Sequence, residues 1–162
     1  MPPTFIPATT IAPGVFHTFT DATLKDLVDN LDPKAEAGEA KFRFGMKYTP
    51  VADRITNLIL TMTLTIAMPR WPNAAKRPKK EQDEWNRFLK ALRFHEDGHI
   101  SIFRREAYTT WDKLLAATPA TIDQVLADEE TRIQALSDAY DLKTDSGMKQ
   151  TSPHGTTVIT VP

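Results

Sequence analysis

Two stretches in the first half of the chain alternate between apolar and polar side chains. Apolar residues take every second position in residues 41–48, and in residues 55–68 they alternate with threonines. A period of two is typical of a β-strand with one buried face. The pattern therefore predicts two strands, of which the second ends at Pro69 and Pro72, because proline interrupts strand pairing.

The residues before these strands contain prolines and one short apolar repeat. Four prolines among residues 1–13 exclude a helix and favour an extended N-terminal arm. This arm leads into a first strand near Val15. Apolar residues then recur at helical spacing between Leu24 and Leu31, which predicts a short helix that ends near Pro33.

In the second half of the chain the apolar residues recur about every 3.6 positions, the period of an amphipathic helix. This pattern predicts a long helix over residues 82–116 and a second helix from Ile122 to about residue 141. The short turn between the two helices makes them a hairpin. Residues 151–162 are expected to form a C-terminal tail or, with the apolar alternation of residues 158–161, an edge strand.

These elements predict an α+β fold, with a small antiparallel sheet packed on the long helix of the hairpin. The domain spans residues 14–150, between the N-terminal arm and the C-terminal tail. A chain of 162 residues is long enough to bury the core of one such domain.

Charge and cysteine content exclude several classes of function. Twenty lysines and arginines against 21 aspartates and glutamates leave a net charge of -1, too little to attract nucleic acid or an anionic membrane. The N-terminus lacks a basic start followed by an apolar run, so neither a signal peptide nor a membrane span is predicted. Because there is no cysteine, any metal has to be bound by histidines and carboxylates.

The long helix contains a pattern with a specific chemical meaning. His95, Glu96 and His99 form a His-Glu-x-x-His motif, whose two histidines lie one turn apart on the same helix face. They can therefore converge on one zinc ion. Glu96 is turned away by about 100°, which suits it to remove a proton from an attacking water molecule rather than to bind the metal.

The alternative is an exposed polar segment in which two histidines fall four residues apart by chance. The position of the motif argues against this alternative. His95 and His99 continue an apolar stripe that includes Leu92 and Phe103, so both should point inward. Buried imidazoles need polar partners, and a metal ion is such a partner.

A catalytic zinc ion commonly has three protein ligands, so one more is expected. In a hairpin that turns near residues 117–120, the numbers of facing residues should add up to about 237. This register favours the acidic residues near the end of the second helix. In contrast, Glu106 lies too far along the long helix, and residues 128–130 are expected to form a solvated face. The candidates, in order of preference, are Asp141, Asp138, Asp145 and His154.

Four further motifs accompany the His-Glu-x-x-His pattern. They are Met68-Pro69-Arg70-Trp71 at the end of a strand, Trp85 near the start of the helix, Ala91-Leu92-Arg93-Phe94 before the motif, and Tyr140-Asp141 followed by Thr144-Asp145-Ser146-Gly147. In this order they resemble a family of small bacterial proteins described as secreted zinc-dependent proteases and catalogued as a domain of unknown function. The resemblance covers residues 14–150.

The resemblance implies a zincin-like metallopeptidase domain that binds zinc and acts on peptides or proteins. It also implies Asp141 as the third ligand and a secreted or periplasmic location. The chain departs from the family pattern at Ser146, where the family has histidine, and it lacks a cysteine pair that many members carry. If that histidine is a ligand in relatives, its role here would pass to Asp141, Asp145 or His154.

The first functional hypothesis is therefore zinc-dependent hydrolysis of peptide bonds, with Glu96 as general base and acid. A second is a zinc amidase acting on cell-wall peptides, which the same residues would serve. A third is a non-catalytic binding domain, with or without zinc. Tyr140 is interpreted as a packed helix-end residue rather than as a hydrogen-bond donor to an oxyanion, and the sequence does not predict an oligomeric state.

Overall fold

The fold is known from a computed structural model, which describes residues 2–10, 14–31 and 37–162. Within these residues it is an α+β fold with one small sheet and three α-helices, none of which is long and apolar enough to cross a membrane. The elements are β1 (Thr4–Thr10), β2 (Gly14–Thr18), α1 (Leu24–Asn30), β3 (Glu39–Val51), β4 (Arg54–Arg70), a 3₁₀ turn (Pro72–Lys76), α2 (Lys79–Leu115) and α3 (Ile122–Thr144).

Strand β4 is the centre of the sheet, because β1, β2 and β3 all pair with it. The even-numbered side chains from Leu58 to Ile66 are at most 2% exposed, whereas the threonines between them are half-buried. This alternation confirms the strand predicted over residues 55–68. The strand continues through Pro69 to Arg70, and its partner β3 is longer than predicted at both ends.

The prediction of an antiparallel sheet is wrong for two strands. A two-residue connection joins β3 to β4, so these two strands run in opposite directions. However, β1 and β2 pair with β4 in parallel, with Thr4 opposite Ile59 and Gly14 opposite Ala67. The chain passes through α1 and β3 between β2 and β4, a connection long enough for parallel pairing. The predicted N-terminal arm therefore contributes a strand to the sheet.

The described residues divide into two compact units. The first unit comprises residues 2–10, 41–65 and 99–139, and its buried side chains include Leu60, Phe103, Leu114, Ile122 and Ile133. The second unit comprises residues 14–31, 37–40, 66–98 and 140–162, and its core cluster consists of Leu24, Leu27, Trp71, Trp85, Phe88 and Leu92.

The three predicted helices are confirmed, with small differences at their ends. Thr23 caps the N-terminus of α1 by accepting a hydrogen bond from the amide of Asp26. Helix α3 continues to Thr144, three residues beyond the predicted end. It ends there because the next three residues, Asp145 to Gly147, all have positive φ angles, which no right-handed helix allows.

The prediction of an edge strand at residues 158–161 is wrong, and the alternative of a tail is the observed one. Arg87 of α2 donates hydrogen bonds to three carbonyl oxygens of the C-terminal tail, the last of them in Val158, at 2.6 to 3.0 Å. The amide of Thr160 donates to the carboxylate of Glu84. Backbone groups that a neighbouring strand would have bonded are thus bonded to helix side chains.

A network of charged side chains links α2 and α3 within the first unit. Arg132 lies 2.6 Å from the carboxylate of Glu106 and 2.8 Å from that of Glu129, and Lys113 also pairs with Glu129. Glu106 and Glu129 are only 8% and 3% exposed. The prediction that residues 128–130 form a solvated face is therefore wrong for Glu129, whose burial is offset by two cations.

The pKa values of these two carboxyls make the network sensitive to acid. Burial raises both pKa values, but the hydrogen bonds and charges of the neighbouring cations outweigh burial and hold the pKa of Glu106 and of Glu129 below the ordinary value. A lowered folded-state pKa contributes stability above the unfolded-state pKa of about 4.3. This contribution is lost as the pH falls through the folded-state pKa.

We predict that Glu129→Gln reduces the acid sensitivity of the protein, because the amide cannot be protonated in this pH range. Urea unfolding at pH 7 and at about pH 3.5 should show a smaller loss of unfolding free energy in the variant than in the wild type. The neighbouring change Glu130→Gln is the matched control and should keep the wild-type pH dependence. Equal losses in Glu129→Gln and wild type would contradict the role of the network.

Candidate metal centre

The His-Glu-x-x-His segment lies in the middle of α2 and points inward, as predicted. His95, Glu96 and His99 are 3%, 3% and 5% exposed, and the apolar residues Leu92 and Phe103 of the same stripe are 2% and 1% exposed. The helical period places these side chains on the buried face. The segment is therefore not an exposed polar stretch of helix.

Helix α3 supplies polar partners to both histidines. The Nε2 atom of His95 lies 3.0 Å from Oδ1 of Asp141, and the Nδ1 atom of His99 lies 2.7 Å from Oγ of Ser137. In each pair the two residue numbers add up to 236, whereas the sequence predicted a sum of about 237 for facing residues of the hairpin. Asp141 consequently occupies the place expected of a third ligand, while His99 faces Ser137 instead of Asp138.

His95, His99 and Asp141 together could hold a metal ion. One ligand atom from each residue lies within 4.8 Å of the other two. Ligands around a tetrahedral zinc ion are about 3.3 Å apart, so side-chain adjustments of an ångström or so would bring all three into range. Two imidazole nitrogens and one carboxylate oxygen form a donor set that suits transition metals such as zinc and leaves a coordination position open.

Glu96 is buried beside this group, although it is not a member of it. The backbone of Gly38 comes close to its carboxylate: a Cβ atom at Gly38 would lie 3.1 Å from Oε1 of Glu96 and 3.2 Å from the side chain of Leu92. A glycine at this position therefore leaves room for the carboxylate. The sequence contained no signal for this contact.

Tyr140 covers one side of the candidate metal centre. Its ring is stacked on that of His95, with ring centroids 5.1 Å apart and an angle of 17° between the planes. Burial raises the pKa of Tyr140, and the negative charges of Asp141 and Glu96 raise it further. The hydroxyl group is therefore neutral at physiological pH. The sequence interpretation of Tyr140 as a packed residue agrees with this stacking.

The turn after α3 also packs against His95. A Cβ atom at Gly147 would lie 3.3 Å from Cγ of His95 and 2.5 Å from the side chain of Thr157. Gly147 also has a φ angle of +86°, which favours glycine. Ser146, where the resemblance led us to expect histidine, is exposed in this turn and donates its amide hydrogen to the carbonyl of Asp141.

The other three candidate ligands do not belong to the group. Asp138 is exposed and accepts a hydrogen bond from Gln134. Asp145 pairs with Lys149, and His154 is exposed in the C-terminal tail. Of the candidates that the sequence left open, the described structure brings only Asp141 to the two histidines.

Fold and site together define an α+β protein with a candidate metal centre on its longest helix. The chain belongs to a bacterial protein family of unknown function, DUF922, whose sequence pattern matches residues 15–148. This match confirms the predicted family at the level of a bacterial family without an assigned activity. Comparisons with curated proteins and with solved structures found no match.

We predict that Gly98→Ala destabilises the protein. An added Cβ atom would lie 2.2 Å from the hydroxyl oxygen and 2.5 Å from Cζ of Tyr140, so the ring could not keep its position on His95. Alanine normally stabilises a helix by about 1 kcal/mol relative to glycine, whereas overpacking costs about 1–3 kcal/mol. Urea unfolding should therefore show a net loss.

The Tyr140→Ala background provides the matched control for this prediction. Without the ring, Gly98→Ala should become neutral or stabilising, because only the helix propensity remains. A stabilising effect of Gly98→Ala in the wild-type background would show that Tyr140 does not pack as described.

Proposed function

We propose that this protein is a zinc-dependent hydrolase that cleaves peptide bonds. The observation that carries the proposal is the convergence of His95, His99 and Asp141, with ligand atoms within 4.8 Å of one another, beside the buried carboxylate of Glu96. Two histidines and a carboxylate, with a further carboxylate next to them, are the residue types that metal-dependent hydrolysis uses.

Zinc is the ion that we infer for this group. The donors are imidazole and carboxylate, which suit zinc, and the chain has no cysteine to supply a softer ligand. Zinc bound by three protein side chains acts as a Lewis acid and lowers the pKa of water towards about 7. Each histidine has a hydrogen-bond partner on α3, which limits rotation of its ring.

Glu96 is assigned the proton transfers. Its position one residue after His95 turns its carboxylate by about 100° around the helix from His95, so it accepts a proton instead of binding the metal. In peptide hydrolysis it would take the proton of the attacking water molecule and return it to the leaving amine. Its burial beside Gly38 holds the carboxylate in place.

The first test is the metal content of the purified chain. We expect about one zinc ion per chain after exposure to zinc and removal of excess metal. His99→Gln should lose the ion because it removes one of the three ligands. His154→Gln, which changes an exposed histidine, is the matched control and should retain it. A wild-type chain that binds no zinc would overturn the proposal.

The second test is hydrolysis of a peptide library, followed by mass spectrometry. Glu96→Gln should keep its zinc and lose about 10²- to 10⁴-fold in turnover, because the amide cannot accept the proton. Asp97→Asn is the matched control, since Asp97 is exposed and pairs with Arg93. Undiminished turnover in Glu96→Gln would exclude its assigned role, and zinc binding without any hydrolysis would favour a non-catalytic domain.

A further inference from the structure

Ser137 contacts the candidate metal centre without belonging to it. Its Oγ atom lies 2.7 Å from Nδ1 of His99, and the two side chains are only 4% and 5% exposed. Nothing in the His-Glu-x-x-His pattern refers to this residue, which is 38 positions away in the sequence. A short contact between two buried polar groups is a hydrogen bond whose direction has consequences for the histidine.

Two arrangements of this hydrogen bond are chemically possible. In the first, Nδ1 of His99 carries the proton and donates it to the serine oxygen, so Nε2 has the lone pair. In the second, the serine hydroxyl donates to Nδ1, and Nε2 carries the proton. Only the first arrangement leaves Nε2 able to bind a metal without first losing a proton.

We propose that Ser137 is a positioning residue that holds His99 as the Nδ1–H tautomer and so presents Nε2 to the metal. This inference rests on the proposed metal site. The serine acts through the histidine and touches neither metal nor substrate. Hydrogen bonds of this kind to a metal-binding histidine set its tautomer and ring orientation, and their removal typically weakens metal binding about 10- to 100-fold.

His95 provides an internal contrast. Its Nε2 atom faces Oδ1 of Asp141 at 3.0 Å, and an ionised carboxylate can only accept a hydrogen bond. Before metal binding, His95 should therefore carry its proton on Nε2, whereas His99 should carry its proton on Nδ1. The proposal therefore predicts opposite tautomers for two histidines that are one helical turn apart.

The tautomers can be measured in the metal-free protein by ¹⁵N NMR, at a pH where the imidazoles are neutral. The chain has four histidines, and the signals of His99 are identified by their loss in His99→Gln. We expect a protonated Nδ1 in His99 of the wild type and a shift towards protonated Nε2 in Ser137→Ala. A protonated Nε2 in wild-type His99 would overturn the proposal.

Zinc affinity is the second readout, measured by competition with a chromophoric chelator. Ser137→Ala should bind zinc about 10- to 100-fold more weakly than the wild type. Ser137→Thr keeps the hydroxyl and should restore both the affinity and the tautomer. The matched control is Ser101→Ala on the exposed side of α2, which should bind like the wild type. Unchanged affinity in Ser137→Ala would contradict the assignment.

The two proposals fail in different ways. If the wild type binds no zinc, the proposed function is wrong, and the NMR measurement, which needs no metal, still decides the tautomer of His99. If the wild type binds zinc and Ser137→Ala binds it equally well, only the role of Ser137 is wrong. Thermal unfolding of each variant separates a loss of affinity from a loss of folding.

Discussion

The buried stripe of α2 carries polar side chains at regular intervals, and each of them needs a partner. Burying an imidazole or a carboxylate without a hydrogen bond costs several kcal/mol, so these side chains constrain how α3 can lie beside α2. A single alignment of α3 along α2 gives each of these side chains a partner. The candidate metal centre and the network of charged side chains both depend on this alignment. The cross-helix pairs are His95 with Asp141, His99 with Ser137, Glu106 with Arg132, and Thr110 with Glu129.

The same register explains why small residues surround the centre. Tyr140 precedes Asp141 in the sequence, so the pairing of His95 with Asp141 also brings the Tyr140 ring close to α2. There the ring stacks on His95 and contacts Gly98. Gly147 lies against His95 because α3 ends one turn after Asp141. At Gly98 and Gly147 a Cβ atom would meet another side chain at 2.2 and 2.5 Å. These glycines are therefore required by close packing around His95.

Local patterns sufficed to predict much of this arrangement. The period of two located β3 and β4, the helical period located α1, α2 and α3, and the turn between α2 and α3 brought Asp141 within reach of His95. If one helix of a pair is displaced by one residue, a different side chain faces the partner helix. For that reason the hairpin estimate placed Asp138 opposite His99, where Ser137 lies. Serine is also uncharged and not aromatic, so no sequence motif indicated a role for Ser137.

The sequence alone determined which residues could do chemistry: two histidines and a glutamate at helical spacing, because that spacing acts through local geometry. It also determined strands β3 and β4 and the three helices, whose periods reflect one buried face. Only the tertiary structure decided the parallel pairing of β1 and β2, the burial of Glu129 between two cations, and the contacts of Ser137 and Gly38. These features join residues that are distant in the chain, and no local pattern specifies which distant residues will meet.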